Sequence, residues 1–156
     1  MRIGILKEIP SDNRVTITPE TVKSLVNLKV QVYVEKGAGV KATISDEDFM
    51  EAGAEIKSEK DVLKESDVLL KINPLEKDEL SALRQEQVIV AALNPFVNND
   101  ITHQLVKANI TSFSMELVPR ITRAQSMDIL SSMATVAGYK AVLDAAMHLP
   151  KFFPMF

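Results

Sequence analysis

The sequence predicts a doubly wound α/β fold: a flavodoxin-like three-layer sandwich around a mainly parallel five-stranded sheet, ending in a long helix. Three observations carry that prediction. Short β-branched runs alternate along the chain with helical patterns. These runs are apolar without a break, not at every second position, which suits strands buried on both faces of a parallel sheet. The segments between them open on helix-start signals, so a helix joins each strand to the next, the connection that parallel strands need.

The first strand is predicted over 3–6. Thr18-Pro19-Glu20 then supplies an N-cap, a proline at the first helical position and an acid in the first turn, ahead of Val22, Leu25 and Val26. The second strand covers 30–34 and runs into Gly37-Ala38-Gly39, a turn that needs positive φ. Ser45-Asp46-Glu47-Asp48 has the form of a capping box before Phe49 and Ala52, with Gly53 as the stop. The same logic assigns helices to 58–65, 76–84 and 99–107, and strands to 68–72, 88–93 and 110–113.

From Gln125 onward, polar positions 125, 128, 132, 135 and 139 recur at spacings of three and four, which predicts one polar helical face. Met127, Ile129, Leu130, Met133, Val136, Ala137, Ala141 and Val142 fill the other faces. Such a stripe lines a site or a polar interface, or it is the wet side of a surface helix with Arg120 and Arg123 in water. The division that follows is an α/β domain over 1–125 and a connecting helix with an apolar tail over 126–156.

A chain of 156 residues is about one domain, and 46% hydrophobic with 25% charged residues fits a soluble globular protein. Its net charge of -3, with no Lys/Arg cluster, argues against nucleic acid as a partner. The absence of cysteine removes disulfides, a thiolate nucleophile and a Cys-based metal site. His103 and His148 lie far apart without neighbouring ligands, so no metal is expected. No signal-peptide core and no apolar run long enough to span a bilayer occur, and the expectation is a cytoplasmic chain.

In open parallel sheets, ligands sit beyond the carboxyl ends of the strands. Arg14, Asn94, Glu116 and Arg120 follow predicted strand ends, and Lys71 lies at the end of the third strand. Arg14, Lys71 and Arg120 together suit an anion. Equally, long cationic side chains at strand ends reach water while their stems pack. Only five glycines occur, and no Gly-x-Gly-x-x-Gly follows a strand. The chain therefore offers the edge of a site without a phosphate-cradling loop.

Ile3-Gly4-Ile5-Leu6-Lys7-Glu8, Asn13-Arg14-Val15 with Thr18-Pro19-Glu20, and Val34-Glu35-Lys36-Gly37-Ala38-Gly39 resemble the opening motifs of the alanine dehydrogenase and NAD(P) transhydrogenase group. The run from Arg120 to Ser132, followed by Ala137-Gly138-Tyr139-Lys140-Ala141-Val142, is similar to the alpha subunit of proton-translocating NAD(P) transhydrogenase. The resemblance spans the whole chain. It implies the N-terminal portion of the NAD(H)-binding component, followed in that family by a Rossmann NAD-binding domain.

The resemblance also implies roles. Arg120, Gln125 and Asp128 would belong to a loop reaching the nicotinamide end of NAD(H), where they act in hydride transfer. Ile121, Thr122, Arg123 and Ser131 would share that cofactor-contacting segment. Implied partners are the NADP(H)-binding and membrane-spanning transhydrogenase components and a second copy in a homodimer, held peripherally at the inner membrane. Alanine dehydrogenases resemble the chain at Arg14 and Lys71, which there hold the carboxylate of pyruvate, but they carry a catalytic histidine where this chain reads Leu93-Asn94-Pro95. An alanine dehydrogenase-like domain is one alternative. A truncated, non-catalytic interaction module is the other, suggested by the apolar tail over 149–156.

Overall fold

The structure, a computed structural model, describes residues 1–152. The chain divides into two compact units, Met1–Ser114 and a second from Met115 onward. In the first unit, strands β1 (Arg2–Ile5), β2 (Gln31–Glu35), β3 (Glu55–Lys57), β4 (Val68–Leu70), β5 (Val88–Ala91) and β6 (Thr111–Ser114) alternate with helices. The helices are α1 (Pro19–Asn27), α2 (Asp46–Glu51), α3 (Glu59–Glu65), α4 (Lys77–Ser81) and α5 (Asn99–Lys107). All neighbouring strands pair parallel, in the order β3-β2-β1-β4-β5-β6.

The sheet thus has six strands where the sequence predicts five. The extra one is β3, whose three residues carry a single apolar side chain, Ile56, between Glu55 and Lys57. A strand so short and charged shows no periodicity, and it suits the edge beyond β2, where charge discourages further pairing. The five predicted strands keep the flavodoxin-like order among themselves, and β3 extends it to the 3-2-1-4-5-6 arrangement.

Caps set the helix starts as the residue types require. Thr18 accepts from Thr21 N. Ser45 Oγ accepts from Asp48 N while Asp48 accepts from Ser45 N, at 3.1 and 2.7 Å, closing the capping box before α2. The helix α4 ends at Ser81, short of the expected 76–84, because Arg84 turns away. Its backbone N–H donates to Gln87 Oε1 and its guanidinium to the Lys64 and Ser66 carbonyls. Gly37 has φ +76, as its turn demands.

Side-chain alternation sends apolar residues to both faces of the sheet. Ile3, Ile5, Val32 and Val34, with Val68 and Leu70 beside them, pack against Val22 of α1, Phe49 of α2 and Ala52 just after α2. Tyr33, Leu69, Ile89 and Ala91 pack with Val62 and Leu63 of α3, Leu80 of α4 and Leu105 of α5. Each fully buried side chain of this size stabilises the fold by about 1.5–3 kcal/mol. Gly4 of β1 lets α3 approach the sheet: a Cβ there would collide with Ser66 Oγ and lie 2.8 Å from Val62 Cγ1.

The second unit holds a 3-10 turn at Met115–Leu117, another at Gln125–Met127 and the helix α6 (Ile129–His148). This corrects the expected polar face. Asp128 has extended backbone, with ψ 99, and caps α6 from outside, while Gln125 lies in the preceding 3-10 turn. The polar positions therefore do not share one helix. Of those that lie on α6, Ser132 and Thr135 donate back to carbonyls of the preceding turn, at 3.2–3.5 Å. All but Ile129 of the α6 residues are exposed. In the apolar tail Phe152 is exposed, whereas Phe153 and Phe156 lie outside the described residues. Among the described residues no helix is long and apolar enough to cross a membrane, and no cluster suits a metal ion.

Candidate functional site

The loop before α6 folds as a series of tight turns. Ile121 N donates to Pro119 O, Ala124 N to Ile121 O and Met127 N to Ala124 O, each at 2.9 Å, and Asp128 N donates to Gln125 O. Ala124 is buried, and the polar side chains on either side of it stay at the surface. The turns gather Arg120, Ile121, Thr122, Gln125, Asp128 and Ser131 around a pocket of about 240 Å³. Six of the seven residues implied by the resemblance thus line one cavity. Arg123 does not; it is exposed outside it.

Asp128 is the fixed point of this pocket. Its Oδ1 accepts from Leu130 N at 2.9 Å and from Ser131 N at 3.2 Å, and its Oδ2 accepts from Ser131 Oγ at 2.6 Å. The Ser131 hydroxyl, then the α6 backbone N–H groups and the charge of Arg120, hold the Asp128 carboxyl below the usual carboxylate range. It is an anion near neutral pH. A carboxylate offers about four acceptor positions, and three donors leave one for a ligand. Arg120, Gln125 and Thr122 add donors around this anion.

The strand-end cations of the first unit have internal partners. Lys71 is buried and donates to both oxygens of buried Glu79, at 2.6 and 2.7 Å. Arg14 forks onto Asp12, with contacts of 2.9 and 2.6 Å. Asn73 donates to Asp12 and to Glu8, whose carboxylate also takes Thr16 Oγ1 and the N–H groups of Ile72 and Asn73. Arg14 and Lys71 therefore do not present free charge to an anion. Sequence reasoning overlooked Glu8, Asp12 and Glu79. Asp12, two residues before Arg14, was the legible one of the three.

Asn94 adopts φ +48 beyond β5, and its carbonyl accepts from Val97 N and Asn98 N. Asparagine tolerates this left-handed conformation better than most residues, which suits it to a tight turn. Glu116 lies in the 3-10 turn of the second unit. A larger cavity of about 500 Å³ lies over α4 and α5, with Leu75, Leu80, Val97 and Ile101 in its wall. It has no counterpart to the buried, ionised Asp128 with Arg120 and Gln125 lining the same pocket.

Residues 4–137 match the family described as alanine dehydrogenase/PNT, N-terminal domain. The chain is 44% identical to an NAD(P) transhydrogenase subunit alpha polypeptide of Rhodospirillum rubrum, over 99% of this chain and 42% of that protein. It is 33% identical to alanine dehydrogenase of Methanococcus maripaludis, over 97% of this chain and 40% of that one. Among solved structures, transhydrogenase from Sinorhizobium meliloti superposes with a TM-score of 0.93 at 41% identity, over all of this chain and 47% of that one. The chain thus spans about two fifths of the length of the curated relatives it matches.

Proposed function

The chain belongs to the alanine dehydrogenase/PNT N-terminal domain family, and from that premise we propose that it is a portion of the NAD(H)-binding subunit of an NAD(P) transhydrogenase. Its relatives include transhydrogenase subunits and alanine dehydrogenases, both oxidoreductases of nicotinamide nucleotides. In this reading the chain serves hydride transfer between NAD(H) and NADP(H), coupled to proton translocation. It works as a homodimer with NADP(H)-binding and membrane-spanning components, on the cytoplasmic side of the inner membrane.

The observation that carries the reading is the pocket before α6, where forked donors surround one ionised carboxylate. At about 240 Å³ it is smaller than the usual 300–1,000 Å³ of small-molecule sites, so it suits one end of a dinucleotide. NAD(H) supplies or accepts the hydride. Arg120 and Gln125 would orient the nicotinamide end, and the open acceptor position of Asp128 would receive a donor from it. When a hydride leaves with its electron pair, positive charge grows where it was. Asp128, already ionised and held by the α6 N–H groups, lowers the energy of that charge without reorganising. The step abstracts no proton, so Asp128 acts through its charge.

In the assembled enzyme, Asp128→Asn and Arg120→Ala are each expected to slow single-turnover hydride transfer by roughly tenfold to a thousandfold. Unchanged rates in both variants would remove this pocket from the reaction. Robust alanine formation from pyruvate and ammonia would instead move the protein to the dehydrogenase branch, against Asn94 as the residue beyond β5.

A further inference from the structure

We infer that the groove between α4 and α5 is a docking site for an amphipathic helix of the membrane-spanning component, whose apolar stripe enters the groove while flanking Lys or Arg side chains meet its acidic rim. The inference rests on the transhydrogenase reading. Buried Leu75 and Leu80 line the groove together with half-buried Ile101 of α5 and with Val97, which is 83% exposed. Phe96, next to Val97 in the turn before α5, is 82% exposed. Large apolar side chains this exposed beside an apolar groove mark a contact surface.

The form of the groove favours a helix as its occupant. Its volume of about 500 Å³ lies in the range of small-molecule sites, but six of its ten lining residues are exposed, so its walls do not enclose a ligand as such sites do. An open trough between two helices accepts a row of apolar side chains from a third, spaced at i, i+3, i+4 and i+7. Charge then gives the partner its sign. Glu76, Asp78 and Asp100 are exposed around the groove against a single exposed cation, Lys77, while Glu79 is spent on Lys71. The carboxylates of Asp78 and Asp100 have no hydrogen-bond or ion-pair partner among the described residues. Such a rim repels the anionic lipid of a membrane surface and attracts a basic segment. Short cytoplasmic segments of membrane proteins are enriched in Lys and Arg, and the proposed reading sets this subunit on the cytoplasmic side. Rim and component are therefore opposite in charge.

The test measures binding of the NAD(H)-binding subunit to the membrane-spanning component held in lipid nanodiscs, for wild type, Val97→Ser and Asp100→Lys. Both positions are exposed and neither lines the pocket around Asp128, so thermal stability and hydride transfer with the NADP(H)-binding component should match wild type. The dissociation constant for the nanodiscs should rise about tenfold in each variant. The loss in Asp100→Lys should shrink as NaCl rises from about 50 to about 300 mM, whereas the loss in Val97→Ser should persist. A labelled helical peptide with a leucine stripe flanked by lysines should bind wild type more tightly than its glutamate-flanked counterpart, and Asp100→Lys should erase that preference. Binding by both variants that matches wild type overturns the inference, as does wild type that fails to bind the loaded nanodiscs. Equal binding to empty nanodiscs of anionic lipid overturns it by making lipid the ligand, and a Val97→Ser defect confined to self-association overturns it in favour of a second copy. Each of these outcomes leaves the hydride-transfer reading intact, which a wild-type subunit that takes up no NADH would sink.

Discussion

At Lys71 the fold claims a residue that its position alone would offer to a ligand. The sequence shows an ammonium directly behind Val68-Leu69-Leu70, where something polar must meet it, but does not reveal that Glu79 is that partner. The reason is physical. The two residues are eight apart and meet only because α4 folds back over the end of β4, with Glu79 also accepting from Glu76 N at 2.6 Å as a feature of the helix start. Burial pushes the Glu79 carboxyl up, and the Lys71 ammonium opposes that rise. Removing one partner leaves an uncompensated buried charge, so Lys71→Met is expected to cost about 3–5 kcal/mol. Lys71→Met with Glu79→Gln should recover much of that loss. Urea midpoints check both, and a single variant within about 1 kcal/mol of wild type would mean that the pair is solvated rather than buried. Asp128 is the contrasting case: its capping geometry was not legible, because the spacing of polar residues favoured a helix already running through it.

Among the elements, legibility followed the strength of local signals. The start of α1 at Thr18-Pro19 and the capping box of α2 are written in adjacent residues, and both helices begin where those residues place them. The strand β3 was not legible, since its place in the sheet comes from pairing Tyr33, Val34 and Glu35 with Glu55, Ile56 and Lys57, not from its own pattern. The packing of α3 on β1 is intermediate. Gly4 stands inside a strand, which hints at a close approach, yet only the fold shows that Ser66 and Val62 are what approach it. Adding one methyl there is an overpacking change. Gly4→Ala should destabilise the protein by about 1–3 kcal/mol through displacement of α3, despite the better strand propensity of alanine over glycine. Equal urea midpoints for wild type and Gly4→Ala would show that α3 can shift at no cost.

For the whole molecule, the parallel α/β architecture was legible because continuous apolar runs and helix caps agree with one another along the chain. What covers α6 was not legible, since a helix records its own faces but not its neighbours. Its apolar residues are spread around the helix and not gathered on one face, with Tyr139 at 70% and Val142 at 61% exposure, and none of its 20 residues is buried. Exposed apolar side chains this numerous on one helix are the composition of a contact surface, and α6 is expected to meet one. In the proposed homodimer that surface belongs to a second copy, and the charges of the helix allow it. An antiparallel pairing centred on Val142 sets Lys140 of each copy opposite Asp144 of the other, two reciprocal contacts of the kind a two-fold axis produces. The chain is therefore expected to self-associate with rising concentration, and Val142→Glu, which places like charges across that axis, should shift it toward monomer. Light scattering over a concentration series checks this. Wild type that stays monomeric at every concentration, or Val142→Glu that associates as strongly as wild type, would take α6 out of the dimer.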